Sequence, residues 1–165
     1  MGATGTPAVD AARRAGIHFT LHEYPHDPRA RLGAGGGIGY ALEAVAALGI
    51  PPERVFKTLV VSVDDRLAVG IVPSSGELDL RRIASVLGGR KAVLADVALA
   101  QRATGYVLGG ISPLGQKRRL PTVVDASALD HARILVSAGR RGLEIELAPG
   151  DLVALTSATV AAISR

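Results

Sequence analysis

Two apolar runs, Val55–Val63 and Leu67–Pro73, are separated by little more than Asp64-Asp65. Both have strand length, and paired aspartates form turns, so the segment reads as a β-hairpin. An antiparallel pair in mid-chain sets the frame for everything around it, because parallel strands would need long crossovers instead. Thr6-Pro7 is a helix start, with the cap residue preceding proline at the first helical position, and the helix runs through Ala8–Ala15 to Gly16. Ile17–Tyr24 alternates as a strand and Pro25-His-Asp-Pro28 breaks it. Leu32–Gly39 is a glycine-rich loop, Tyr40–Leu48 a helix ended by Gly49, and Leu78-Asp79 opens a helix whose Leu80, Ile83, Ala84 and Leu87 fit a 3.6-residue period. Asp96 caps a short helix through Arg102. Tyr106–Leu108, Thr122–Val124, Ile134–Val136 and Leu143–Leu147 read as short strands. After Pro149-Gly150-Asp151 comes a last element, helix or strand. Hairpins and helices are interleaved without regular βαβ alternation. The expected fold class is therefore α+β, a single compact domain over residues 1–165 with a mixed, strongly curved sheet.

The 165 residues are 48% hydrophobic, with only two Phe, three Tyr and no Trp, so the core is aliphatic. No run reaches the ~18–20 apolar residues of a membrane span. The first residues carry neither a charged leader nor an apolar stretch, so no signal peptide is expected. Cysteine is absent, which removes disulfides, thiolate metal sites and a cysteine nucleophile, and fits a cytoplasmic setting. The net charge of +4 is gathered in Arg81-Arg82, Arg90-Lys91, Lys117-Arg118-Arg119 and Arg140-Arg141. Such clusters suit a nucleic-acid backbone, and they equally suit an ordinary solvated face.

The segment Arg102–Asp125 places Gly109-Gly110, Ser112-Pro113 and Gly115 between two apolar runs and just before the basic triplet. Paired glycines let a ligand approach the backbone, whose N–H groups can serve an oxyanion; the plain alternative is a tight turn with a basic loop. A P-loop is excluded: Gly110 and Gly115 have the spacing, but Gln116 stands where the lysine belongs. In Val55–Val61, alternation puts Lys57 on one face with Val55, Leu59 and Val61, and Thr58 on the other with Phe56 and Val60. Lys57 either snorkels or serves as a cation at the floor of a pocket, where desolvation would lower its pKa. Tyr24 is either a half-buried strand tyrosine or part of a cleft. His22 and His26 tempt a zinc reading, but Pro25 keeps them off one helical face, and no metal is expected. Ser112 or Ser137 could be combined on paper with His131 and Asp125 or Asp130, but no Gly-x-Ser-x-Gly elbow supports a triad. Ser137-Ala-Gly139 reads as a second backbone-lined rim.

Taken in order, Thr6-Pro-Ala-Val9, His22-x-Tyr-x-His-Asp27, Val55-Phe-Lys-Thr-Leu59, Leu78-Asp-Leu80, Gln101-Arg-x-Thr-Gly-Tyr106, Gly109-Gly-Ile-Ser-Pro-Leu-Gly-Gln-Lys117, Leu120-Pro-Thr122 and Arg141-Gly-Leu143 cover nearly the whole chain. Together they resemble the YbaK/EbsC family, also called the YbaK/prolyl-tRNA synthetase-associated domain, and within it the Cys-tRNA(Pro) deacylases. The resemblance implies a mixed β-barrel-like sheet wrapped by helices, no metal or organic cofactor, and a trans-editing enzyme that cleaves the ester of a wrong amino acid on tRNA(Pro). It implies a reaction centre built from Lys57, Gly109, Gly110, Ile111, Ser112 and Pro113. Tyr24, Thr58, Ser137 and Glu144 are implied substrate-side residues; Glu144 stands where the family has Asp, one methylene longer. Lys117, Arg118, Arg119, Arg140 and Arg141 are expected to contact tRNA, with prolyl-tRNA synthetase as an optional partner. For the cysteine-specific members the resemblance implies attack by the substrate's own thiol. The competing readings are a deacylase for alanine or serine on tRNA(Pro) that uses water, and a non-catalytic module that binds tRNA or the synthetase.

Overall fold

A computed structural model describes residues 5–25 and 37–165, with only the backbone at 37–39. His26, Asp27 and the glycine-rich run up to residue 36 lie outside the described residues. Helix α1 spans Pro7–Ala15. Thr6 caps it: the hydroxyl accepts from the Val9 N–H at 3.1 Å and donates to the Ala138 carbonyl. One side chain thus starts the helix and ties it to a strand far along the chain. β1 is Phe19–Glu23 and α2 Gly37–Leu48, so the helix begins before the expected Tyr40.

The central hairpin is β2, Phe56–Val63, with β3, Arg66–Pro73. Asp64 and Asp65 both take positive φ, 48° and 68°, as a two-residue turn matched to strand twist requires. The Asp64 carboxylate accepts the N–H groups of Arg90 and Lys91 at 2.8 and 3.0 Å. That anchors the approach to β4, Ala92–Leu94. Asp79 is the cap of α3, Leu80–Val86, rather than its first residue, and Leu78 instead bridges to Ser164. Asp96 caps α4, Val97–Thr104, and Gly105 closes it at φ +82°. The rest of the chain is β5 (Thr122–Asp125), a 3-10 turn (Ala126–Asp130), β6 (Ile134–Arg140), β7 (Leu143–Leu147), α5 (Pro149–Thr156) and β8 (Thr159–Ala161).

The class is α+β, but the curved sheet resolves into two and does not close into a barrel. One is antiparallel, in the order β1-β7-β6. The other is mixed, in the order β4-β2-β3-β5-β8, with β5 parallel to both its neighbours. The sheets meet at β2. Val55 bridges Leu135 of β6, and the Leu135 N–H reaches the Arg54 carbonyl at 2.9 Å. Further on, Val61–Val63 pair with β4.

The strand expected at Tyr106–Leu108 does not form. The Leu108 N–H bonds to the Gln101 side chain at 2.9 Å, and the Val107 carbonyl receives the Gly110 N–H at 2.9 Å, so the groups a ladder would use are satisfied locally. The last element is both things in turn, a helix from Pro149 and then β8.

The main core lies between the sheets, where Ile134, Val136, Leu143, Ile145 and Leu147 meet Phe56, Val60, Val69 and Ile71. A second core covers the far side of the larger sheet with Ile83 of α3, and a third lies between Ala41 and Ala44 of α2 and Leu135. Among the described residues no helix is long and apolar enough to cross a membrane.

The Thr6 double role gives a test of this frame. Thr6→Ala removes the α1 cap and orphans the buried Ala138 carbonyl, so it costs about 2–3 kcal/mol in chemical denaturation. Thr6→Ser, which keeps the hydroxyl, retains most of that stability.

Candidate functional site

β2 has a different neighbour at each end, and a cavity of about 200 Å³ opens in the gap between them. In the hairpin register set by the Asp64-Asp65 turn, odd-numbered β2 residues exchange hydrogen bonds with β3, and even-numbered ones face the other way. The Ala95 N–H accordingly reaches the Val60 carbonyl at 3.0 Å. Thr58, between the β6 bridge and β4, turns its N–H and C=O toward the gap. Its hydroxyl is also buried without a hydrogen-bond partner among the described residues. β2 forms the floor from Phe56 to Val60. The other walls are Tyr24 beside Ser137 and Glu144, Tyr40 and Ala41 of α2, Leu94, Ala95, Val97 and Ala100, and Leu108, Gly109 and Ile111 of the glycine loop.

Lys57 is only 4% exposed, and its ammonium donates to the Gly76 carbonyl at 2.7 Å. Burial lowers its pKa, and the Glu77 carboxylate opposes that shift. Burial pushes the Tyr24 phenol well up, and the carboxylates of Glu144 and Glu43 add to the effect. Glu144, 6% exposed, has no cation to pair with among the described residues, and burial drives its pKa up to about 8. Glu146, two residues along β7, is its opposite. Burial alone would raise it, but His22 at 2.8 Å and Arg54 at 2.7 Å hold it below the usual carboxylate range.

The glycine loop divides its residues between the cavity and the frame. Gly109 has φ +89°, and a β-carbon there would meet the Tyr40 ring at 2.6 Å and Arg141 Nε at 2.8 Å. Gly110 serves packing: its β-carbon would lie 2.7 Å from the Arg140 Cα, and its N–H is already bonded to Val107. That donor is therefore not free for a ligand. The N–H groups of Gly109 and Ile111 have no partner among the described residues. Ser112 is fully buried; its hydroxyl accepts from the Leu114 N–H at 3.2 Å and its carbonyl from Gln116 at 3.0 Å. Neither Ser112 nor Pro113 lines this cavity. Pro113 borders a second concavity of about 320 Å³, with Lys117, Arg118, Arg119 and the end of α5.

The two basic clusters differ. Lys117 and Arg118 are exposed and unpaired among the described residues, while Arg119 reaches Ser157 at 3.0 Å. Arg140 bonds Glu23 at 3.3 Å. Arg141 donates twice to the Leu108 carbonyl, at 3.1 and 3.0 Å, and lies 4.7 Å from the Tyr40 ring centre. It stitches α2 to the glycine loop beside the cavity.

Tyr40, Leu94 and Val97 are cavity residues that sequence reasoning did not single out. The Asp96 cap was the available signal, because it sets Val97 and Ala100 on one helical face. The triad that could be drawn on paper does not assemble. Asp125 is taken up by Ser127, Ile163 and Ser164, and among the described residues no histidine lines the cavity. Among the described residues no group of His, Cys, Asp and Glu could hold a metal.

Glu144 sets a pH test. The unfolded carboxyl loses its proton near 4.5 and the folded one near 8, so its contribution to stability is full below 4.5 and is lost as pH rises through 8. Relative to Glu144→Gln, the protein should lose on the order of 3–5 kcal/mol between pH 5 and 9, read from urea midpoints. A pH-independent difference would show that the carboxyl is already ionised.

The sequence model of the aminoacyl-tRNA editing domain matches residues 38–155. EbsC of Enterococcus faecalis, provisionally named a Cys-tRNA(Pro)/Cys-tRNA(Cys) deacylase, is 40% identical over 125 residues, which is 74% of this chain and 76% of that one. A proline–tRNA ligase of Thermoanaerobacter is 27% identical over 106 residues, and there the match spans 19% of the ligase. A solved structure provisionally described as a trans-editing enzyme for prolyl-tRNA synthetase superposes with a TM-score of 0.83 at 24% identity, covering 100% of this chain and 99% of that one. At that identity the likeness shows the fold.

Proposed function

This chain belongs to the aminoacyl-tRNA editing domain family, and on that footing we propose that it removes cysteine from mischarged tRNA(Pro) in trans. The observation that carries the proposal is a cavity of amino-acid size with backbone donors at its wall and, among the described residues, no side-chain nucleophile that has a base beside it. The Ser137 hydroxyl accepts the Gly139 N–H at 3.3 Å, and among the described residues no imidazole lines the cavity with it. The nucleophile proposed is the substrate's own thiol. The cysteinyl thiol gives its proton to solvent, and the thiolate attacks its own carbonyl carbon. A C–S bond forms, the C–O ester bond breaks, and the 3′ oxygen of the tRNA leaves and takes up a proton. The cyclic thioester is then opened by water.

The protein's part is to hold that reactive shape. Gly109 and Ile111 point their N–H groups at the developing oxyanion. Thr58, with its unpartnered hydroxyl, and Ser137 orient the amino acid. Glu144, protonated near neutrality, donates a hydrogen bond without placing a negative charge beside the oxyanion. Lys57 supplies positive charge at the floor and is already seated by the Gly76 carbonyl. Phosphate contacts run chiefly through Lys117 and Arg118, the exposed members of the triplet, because Arg140 and Arg141 are engaged within the fold.

Turnover of Cys-tRNA(Pro) beside Ala-tRNA(Pro) tests this. The cysteinyl ester should be cleaved at least about a hundredfold faster, the scale that one well-placed catalytic group contributes. Lys57→Ala, checked for folding by circular dichroism, should lose most of that activity, and Ser112→Ala should keep it. Faster turnover of the alanyl ester would instead assign the site to alanine and to water, and turnover of neither would leave a binding module.

A further inference from the structure

Two aliphatic side chains of the cavity wall are about half exposed: Leu94 at 48% and Val97 at 47%. Leu94 ends the edge strand β4, Val97 begins α4, and only Ala95 and the cap Asp96 separate them. Side chains that line a cavity and also stand open to solvent lie at its mouth. Among the described residues nothing is packed over these two side chains, and side by side at a cavity mouth they offer a ligand an apolar rim.

What covers it follows from size and connectivity, given the deacylase reading above. At about 200 Å³ the cavity is smaller than the roughly 300 Å³ at which pockets begin to enclose drug-sized ligands. It takes an aminoacyl group and has no room for the nucleoside attached to it. With the ester carbonyl at Gly109 and Ile111, the ribose must stand in the mouth, and the nucleobase, one glycosidic bond further out, must lie against the rim. A purine face is flat and largely apolar, and it packs on aliphatic side chains without any hydrogen bond to its edge.

We infer that Leu94 and Val97 form the shelf on which the terminal adenine of the acceptor strand rests. Contact is through the base face, so the shelf accepts any tRNA end and does not contribute to tRNA identity. The nearby Asp96 carboxylate is already bonded to the Leu99 N–H at 3.2 Å as a helix cap and is not needed to read the base.

The test uses two stable amide analogues of the ester: 3′-cysteinylamino-3′-deoxyadenosine and its abasic counterpart, which keeps the ribose but lacks adenine. In methyl-labelled full-length protein, the adenosine analogue should move the Leu94 and Val97 methyl resonances upfield by ring current, and the abasic analogue should not. The adenosine analogue should bind about tenfold more tightly than the abasic one, the scale of covering two half-exposed aliphatic side chains. That preference, read as the ratio of the two affinities within one protein, should vanish in the variant Leu94→Ser with Val97→Ser. No upfield shift at saturation, no detectable binding of the adenosine analogue, or a tenfold preference that survives the double substitution would each overturn the shelf. Failure of the deacylase reading looks different: the shelf shifts would be present, but wild-type protein would not cleave the aminoacyl ester.

Discussion

Everything distinctive about this molecule follows from β2 having two different neighbours on one edge. β6 bridges Val55, the residue just before β2, and β4 pairs with β2 from Val61, and the residues between face a gap. A continuous ladder would have satisfied the Thr58 backbone and left a featureless sheet. The interruption opens a small cavity with polar main chain exposed along its floor. The segments that fill in around it then become walls: α2 over the three-stranded sheet, β4 and α4 on one flank, the glycine loop on the other. Unpaired backbone at a sheet edge invites aggregation when it faces solvent. Here it is recessed, so the same groups are available to a ligand and to little else.

The electrostatics divide along the same line. Glu144 and Glu146 stand on one face of β7, yet they have opposite environments. Glu146 has a guanidinium and an imidazole, and stays ionised. Glu144 has neither among the described residues, so burial keeps it protonated near neutrality and lets a carboxyl act as a donor. Arg141 is drawn into the frame in a comparable way. By holding the Leu108 carbonyl and lying over Tyr40, it fixes the distance between α2 and the glycine loop, and so the width of the cavity between them.

Much of this was legible in the residues. Asp64-Asp65 announced the hairpin, and Thr6-Pro7 announced α1. Alternation on β2 separated Lys57 from Thr58, and the structure places both on the cavity, with Tyr24, Gly109, Ile111, Ser137 and Glu144. What could not be read depends on partners distant in sequence. Gly110 looks like a ligand-facing glycine until Arg140 is seen packed against it. Ser112 looks available until the Leu114 N–H is found on its hydroxyl. Arg140-Arg141 reads as surface charge, because nothing local shows that Glu23 and the Leu108 carbonyl receive those guanidiniums. β4 is three residues long, too short for alternation to show, and its outward Leu94 carries no pattern that marks a cavity wall.

The central claim is that the protein supplies shape and backbone donors, and the substrate supplies the nucleophile. Replacing the thiol by a methyl group of similar size isolates that claim, because 2-aminobutyryl-tRNA(Pro) fills the same space and cannot attack itself. Single-turnover rates on the two esters are the direct measurement. The methyl analogue should show similar apparent affinity and a chemical step slower by at least about a hundredfold, the scale of losing a positioned reacting group. Equal single-turnover rates would contradict it and would place the nucleophile, or the water that serves as one, on the protein's side of the reaction.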